Sequence, residues 1–345
     1  MYLKQTYHTA AAIAAAVMAL SACTLEKEVD EAPKAFSSFE MPPHFPPPVH
    51  GWEDNPITKA GFELGRKLFY DPGLSSTGDI SCGTCHAQAH AFADHNTPFS
   101  AGVHGLIGNR NAPPTVNLMW MPELMWDGRF PELLHMPTGP ITDPIEMDMD
   151  MDALVAYLNQ HEDYPALFEA AFGESLATEE HMLKAMAQFQ GSIVSARSKY
   201  DDYDLGRDVL DAKEMRGLEI FEAKCSTCHP APLFTDHSFR SNGLSDRTND
   251  TGRMAHTGIQ EDNGKFKVPS LRNVRLTHPY MHDGQFFTLR QVLDHYSEGI
   301  EATPNLDPLL EGGIPLSEDE KEDLIAFLIT LSDFELMRDL RYSEP

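Results

Sequence analysis

The chain has 345 residues and carries 26 lysines and arginines against 53 aspartates and glutamates, a formal net charge of −27 with the histidines neutral. So acidic a surface excludes nucleic acid as a partner. It suits a basic or dipolar protein partner, and it also serves simply to keep a secreted protein soluble.

Lys4 and His8 precede an apolar run of small residues from Ala10 to Leu20. That run is too short to span a bilayer and reads as the core of a signal peptide covering residues 1–22. Leu20-Ser21-Ala22-Cys23 resembles the processing box of bacterial lipoproteins, which would put a lipid on Cys23; the other reading is a plain secretory signal cut nearby. Both readings export the chain. A lipid on Cys23 is the only membrane attachment the sequence leads us to expect. Residues 23–50 are charged and then proline-rich, with Pro42, Pro43, Pro46, Pro47 and Pro48 close together, and read as an extended tether.

Globular character begins at Gly51. Thr58 to Tyr70 places Ala60, Leu64 and Leu68 at helical spacing, and Asp71-Pro72-Gly73 then turns the chain. Cys82-Gly83-Thr84-Cys85-His86 follows. Met151 to Gln160 carries Leu154, Val155 and Leu158 on one helical face. Thr178 can cap a helix running to about Arg197, with Glu179 and Glu180 in its positive first turn. Glu214 to Lys224, with Met215, Leu218 and Phe221 on one face, leads into Cys225-Ser226-Thr227-Cys228-His229. Ser317 and Glu320 form a capping box ahead of Leu324, Ile325, Phe327 and Leu328. Loops rich in Gly, Pro and Asn lie between, and no stretch shows convincing strand alternation.

The two Cys-x-x-Cys-His motifs decide the class of chemistry. Two residues between the thiols match the separation of the haem vinyl groups, and the next histidine falls under the iron. A thioredoxin-like pair or half a zinc site is the alternative for one copy, but no further Cys-x-x-Cys completes a zinc cage. Four of the five cysteines are thereby used and Cys23 is the fifth, so no structural disulfide is expected. The expected fold is mainly α. It comprises two cytochrome c-like haem domains, residues 51–204 and 205–345, with long ordered loops. Sixteen histidines and sixteen methionines leave the sixth ligand of each iron open.

A resemblance then becomes specific. Arg110-Asn111-Ala112-Pro113, Trp126-Asp127-Gly128-Arg129, Gly139-Pro140-Ile141, Glu146-Met147, Lys267-Val268-Pro269-Ser270-Leu271-Arg272-Asn273-Val274 and Thr277-His278-Pro279-Tyr280-Met281-His282-Asp283-Gly284 stand in the order found in the bacterial dihaem cytochrome c peroxidase family, which includes MauG. The likeness runs from Asn55 to Leu331.

The resemblance implies that His86 is the proximal ligand of a peroxidatic haem and His229 that of an electron-relay haem. Glu146 matches the distal acid that moves a proton during O–O cleavage, Trp126 the tryptophan between the haems. Asn111 with the carbonyls of Thr277 and Pro279 matches an interdomain calcium site, whose oxygen-only ligation suits that cation. Tyr296 falls where standard members ligate the relay haem with methionine and the MauG branch has tyrosine; Met281 and His295 are the alternatives. His104 matches a loop histidine that blocks the peroxidatic haem in many resting members, or it is a surface residue of a glycine-rich loop. Met136 replaces a usual distal glutamine.

Function follows as an expectation: a periplasmic, lipid-anchored c-type dihaem peroxidase that reduces hydrogen peroxide. Its electrons would come from a small cytochrome or copper protein. The alternatives are a MauG-like enzyme that oxidatively modifies a partner protein, and a non-catalytic dihaem electron carrier. Dimerisation, frequent among family peroxidases, is left open.

Overall fold

The structure, a computed structural model, describes residues 41–345 apart from Trp52 and Asp246; the signal peptide, Cys23 and most of the tether lie outside the described residues. The longer helices are α1 (Lys59–Tyr70), α2 (Met151–Gln160), α3 (Tyr164–Phe172), α4 (Glu179–Ser192), α5 (Ala212–Lys224), α6 (Leu289–Asp294) and α7 (Glu318–Ile329). Sheet among the described residues is confined to β1 (Phe239–Arg240) paired antiparallel with β2 (Phe266–Lys267).

Local chemistry sets most helix starts. The Thr58 hydroxyl accepts from Gly61 N–H, Thr178 accepts from His181 N–H, and Ser317 with Glu320 closes a reciprocal capping box. Asp211 caps α5 in the same way with Glu214. Two outcomes differ from the sequence expectation. α4 stops at Ser192, short of Arg197, because Asn117 captures the next residues: its N–H donates to Ile193 O at 2.9 Å and its Oδ1 accepts from Ser195 N–H at 2.9 Å. α3 has no counterpart in the sequence reading; its Ala-Leu-Phe run has no sharp polar face and opens on a proline in the first turn.

The fold is built twice. α1 packs on α4, and α5 on α7, each through a glycine that brings two backbones together. A Cβ on Gly65 would lie 2.0 Å from Ala185 O and 2.8 Å from Phe189 Cβ; one on Gly217 would lie 2.0 Å from Asp323 O and 2.8 Å from Phe327 Cβ. Each pair holds its own apolar cluster. Leu64, Leu68, Leu154, Tyr164, Phe168 and Met182 are fully buried in the first, while Phe221, Phe234, Leu324, Phe327 and Leu331 form the centre of the second. A third cluster, with Phe45, Trp120, Leu124, Leu133, Met136, Ala187 and Leu233, draws on both halves.

Two segments cross this division. Met41–His50 was expected to end a free tether, but it is folded onto the body. Phe45 packs edge-on against Trp120, Trp120 Nε1 donates to Pro46 O at 2.7 Å, and the Val49 and His50 N–H groups donate to Met119 O. Phe45, set within the proline run, is apolar and would otherwise face water, so its burial favours docking of this stretch over a free spacer. At the other end, Tyr342 is buried among Phe62, Phe92 and Phe189 of the first half and donates through its hydroxyl to Ser192 O at 2.7 Å. Gln88 Nε2 donates to the carbonyls of Leu336 and Asp339. The C-terminal segment is therefore a strap across the N-terminal half.

Candidate active site

Each Cys-x-x-Cys-His motif forms a tight turn that aims its residues at one point. Cys82–Cys85 is a helical turn closed by Ser81 and Thr84, and His86 N–H donates to Cys82 O at 2.9 Å. The second motif repeats this, with His229 N–H donating to Cys225 O at 3.0 Å. Both imidazoles are held the same way: His86 Nδ1–H donates to Phe92 O at 2.9 Å, and His229 Nδ1–H to Phe234 O at 3.0 Å. A carbonyl can only accept, so Nδ1 carries the proton and Nε2 keeps its lone pair for a metal. Phe92 and Phe234 turn that carbonyl inward from left-handed backbone, at φ 57° and 55°.

Burial pushes both imidazoles below their ordinary range and so keeps them neutral. Burial also raises the thiols, Cys82 to about 12 and Cys85 and Cys225 to about 11. None of the four pairs with another cysteine.

A cavity of about 360 Å³ joins the first motif to the rest of the site. Cys82, Cys85 and His86 line one side, Trp126, Met136, Pro140 and Glu146 another, and Thr235, His237, Lys267 and Pro269 of the second half close it. The volume falls in the range of about 300–1,000 Å³ usual for small-molecule and cofactor sites. Two buried atoms in its wall, Gln190 Oε1 and His237 Nδ1, have no protein partner. Unpaired thiols, a neutral imidazole with a free Nε2 and unsatisfied polar atoms together fit a covalently attached haem.

Glu146 stands at the solvent-accessible mouth of this cavity. Partial desolvation of its carboxyl and the nearby Asp143 charge raise it above the ordinary carboxylate range, with Arg129 opposing them. Trp126 is pinned from two directions: Nε1–H donates to Asn111 O at 2.8 Å, and its carbonyl accepts from Lys267 N–H of β2 at 2.8 Å. His104 is exposed, at φ 57° in the turn Val103–Gly105, and does not line the cavity. Its loop nevertheless grips the acid's backbone, since Val103 N–H donates to Glu146 O at 3.0 Å.

In the second half Tyr296 lies on a π-helical turn, His295–Gly299, that continues α6. Such turns re-aim a side chain and recur at functional sites. The Tyr296 phenol sits near Cys225 and Cys228; burial raises it, and a hydrogen bond with the Asn242 side chain opposes the rise. Asn242 Nδ2 also reaches Met281 Sδ at 3.4 Å. His295 is engaged elsewhere, with Nε2 3.1 Å from Asn242 O and a second bond to the Gly299 backbone. Asn242 was not visible from sequence: a lone asparagine in Ser-Asn-Gly carries no signal of its own.

Asn111 is buried and sends Nδ2 toward Pro98 O at 3.2 Å, leaving Oδ1 as a free oxygen donor. Its N–H donates to His282 O at 2.7 Å, which ties it to the segment holding Thr277 and Pro279. Among the described residues no group of three or more His, Cys, Asp or Glu is arranged for a metal.

Two Cys-x-x-Cys-His turns with matching histidine geometry, in a mainly helical, internally repeated chain, define a dihaem cytochrome. A family model described as di-haem cytochrome c peroxidase matches residues 59–209. Methylamine utilization protein MauG of Methylorubrum extorquens is 39% identical over 85% of this chain and 83% of its own. Cytochrome c551 peroxidase of Pseudomonas aeruginosa is 33% identical, covering 80% of each. A crystal structure of a MauG-like protein associated with microbial copper homeostasis superposes with a TM-score of 0.82 at 34% identity, over 90% of this chain and 99% of that one. The chain belongs to the dihaem cytochrome c peroxidase/MauG family of oxidoreductases, and the family implies two c-type haems.

Proposed function

We propose that this is an exported dihaem peroxidase that reduces hydrogen peroxide at the His86 haem and relays oxidising equivalents through Trp126 to the His229 haem. The observation that carries this reading is the cavity shared by Cys82, Cys85, His86, Trp126 and Glu146. A haem bound there supplies an iron able to bind peroxide and accept electrons. Glu146 takes a proton from one peroxide oxygen and returns it to the leaving oxygen, a role its raised carboxyl suits. Pro140 and Met136 shape an apolar distal wall, and Trp126 stands in the wall between the two halves.

Tyr296 is the sixth ligand we propose for the relay haem, because the ring of His295 is already committed to backbone. Asn111 Oδ1 with the carbonyls of Thr277 and Pro279 is the calcium site we propose. His104 gates nothing in the geometry described; as a gate it requires its loop to swing inward. The modules are residues 51–204 and 205–345, apart from the C-terminal strap. Export and a lipid on Cys23 follow from the N-terminal sequence, and no described helix is long and apolar enough to cross a membrane.

A second reading is favoured by Tyr296. A phenolate ligand holds a relay haem at low potential, which suits the MauG chemistry of oxidising side chains of a partner protein better than storing electrons from a cytochrome or copper protein. Stopped-flow mixing of the fully oxidised, calcium-loaded protein with one equivalent of peroxide separates the two. Rapid change at both haems before any reductant is added supports the MauG mode. Reaction only after relay reduction, with turnover on a cytochrome donor, supports the peroxidase mode. Inertness in both redox states leaves an electron carrier.

A further inference from the structure

Tyr296, Met281 and His295 compete for the sixth position of the relay haem, and Asn242, two residues past β1, engages the two that the Tyr296 reading leaves out. Its carbonyl oxygen lies 3.1 Å from His295 Nε2, and its Nδ2 donates to Met281 Sδ at 3.4 Å. A carbonyl only accepts, so His295 Nε2 carries a proton and has no lone pair for iron. The thioether is occupied in another way. It binds iron through a sulphur lone pair, and the amide N–H claims the same electrons.

Backbone bonds fix both ends of the Asn242–Met281 contact. On either side of Asn242, Ser241 O accepts from Asp307 N–H at 3.0 Å and Gly243 O from Glu301 N–H at 2.8 Å. Gly243 is at φ 65°, and a Cβ there would lie 2.6 Å from Ile300 Cγ2 and 2.7 Å from Glu301 O, so the 300–307 loop lies tight against this strand end. Met281 is at φ 74°, inside the turn closed by Tyr280 N–H to Phe286 O at 2.7 Å, and its own carbonyl accepts from Gly284 N–H at 3.2 Å. The two holds differ in kind. His295 is held by the main chain of residue 242, which any substitution there retains; Met281 is held by the side-chain amide.

We infer that Asn242 is a positioning residue that withholds Met281 from the relay iron and leaves the sixth position to Tyr296; this rests on the Tyr296 reading above. Methionine in that position raises a haem's potential, so the amide also keeps the relay haem at the low end of its range.

The test compares ferric absorption and EPR spectra, and the relay midpoint potential, of the holoprotein and its variants. Asn242→Ala is expected to lose the phenolate-to-iron charge-transfer absorption, gain the weak red band of a thioether ligand and raise the potential. Asn242→Leu, which refills the volume without a donor, is expected to do the same. Adding Met281→Leu to Asn242→Ala is expected to restore the parent spectrum and potential, which a mere loss of packing at residue 242 does not allow. Parent ligation in both Asn242 variants overturns the inference, as does an altered spectrum that Met281→Leu fails to reverse. A parent spectrum that Tyr296→Phe leaves unchanged overturns the Tyr296 reading itself. That is a separate result, because release of Met281 still reads out in the Asn242 variants.

Discussion

Glu146 concentrates the chemistry expected of a single residue. In the proposed mechanism its carboxylate form is the base, so the rate of peroxide cleavage should fall as pH drops through its pKa in the folded protein. Because desolvation and Asp143 raise that pKa, the fall should begin above the usual carboxylate range rather than within it. Glu146→Gln should slow cleavage by about 10²–10⁴-fold, the usual weight of a positioned acid–base group, and abolish that acid limb. Both haem spectra should survive, since the carboxyl anchors no part of the fold; stopped-flow absorbance across pH reads all three outcomes. Of the site, the haem-bearing residues were legible because Cys-x-x-Cys-His is a contiguous motif. Asn242 was not, because its meaning arises from Met281 and Tyr296 meeting it across the fold.

At the scale of elements, the two glycine crossings make the sharpest prediction. Gly65→Ala or Gly217→Ala would drive a methyl against a carbonyl at 2.0 Å, so the helices must part. Overpacking of this kind costs about 1–3 kcal/mol, and thermal denaturation should show each variant melting earlier than the parent. α1, α2, α5 and α7 were readable from apolar spacing and caps, which act within a few residues. The end of α4 was not, since Asn117 sets it from far along the chain. The repeat also extends beyond the helices. Asn117 and Asn273 both adopt left-handed backbone, at φ 56° and 62°, and each accepts through Oδ1 from a following loop, Ser195 N–H in one case and Asp333 N–H in the other. The turns Leu124–Phe130 and Tyr280–Phe286 are closed by matching 2.7 Å bonds, with Met125 and Met281 both at positive φ. No apolar periodicity announces such turns.

For the whole molecule, the described residues form one compact unit although two apolar clusters mirror each other within it. The strap that ends in Tyr342 explains part of that unity. Removing residues 334–345 should expose Phe62 and Phe189 and free the Gln88 amide, while leaving the α5–α7 pair intact. Limited proteolysis should then cut the N-terminal half first, and the spectrum of the His86 haem should change before that of the His229 haem. The buried pair of Arg272 and Asp201 works in the same direction. Arg272 donates twice to Asp201, whose Oδ1 also meets His44, so the N-terminal lead-in, the connection between the halves and the second module share one charge network.

The strap also sets an order of assembly. The first haem motif precedes the second module, but the aromatic wall behind it is completed by Tyr342, which follows that module in the chain. The second module has all of α5 and α7 before that point and can close on itself. The first half therefore stays open on one side until the strap docks, whereas the second needs nothing beyond its own helices to close.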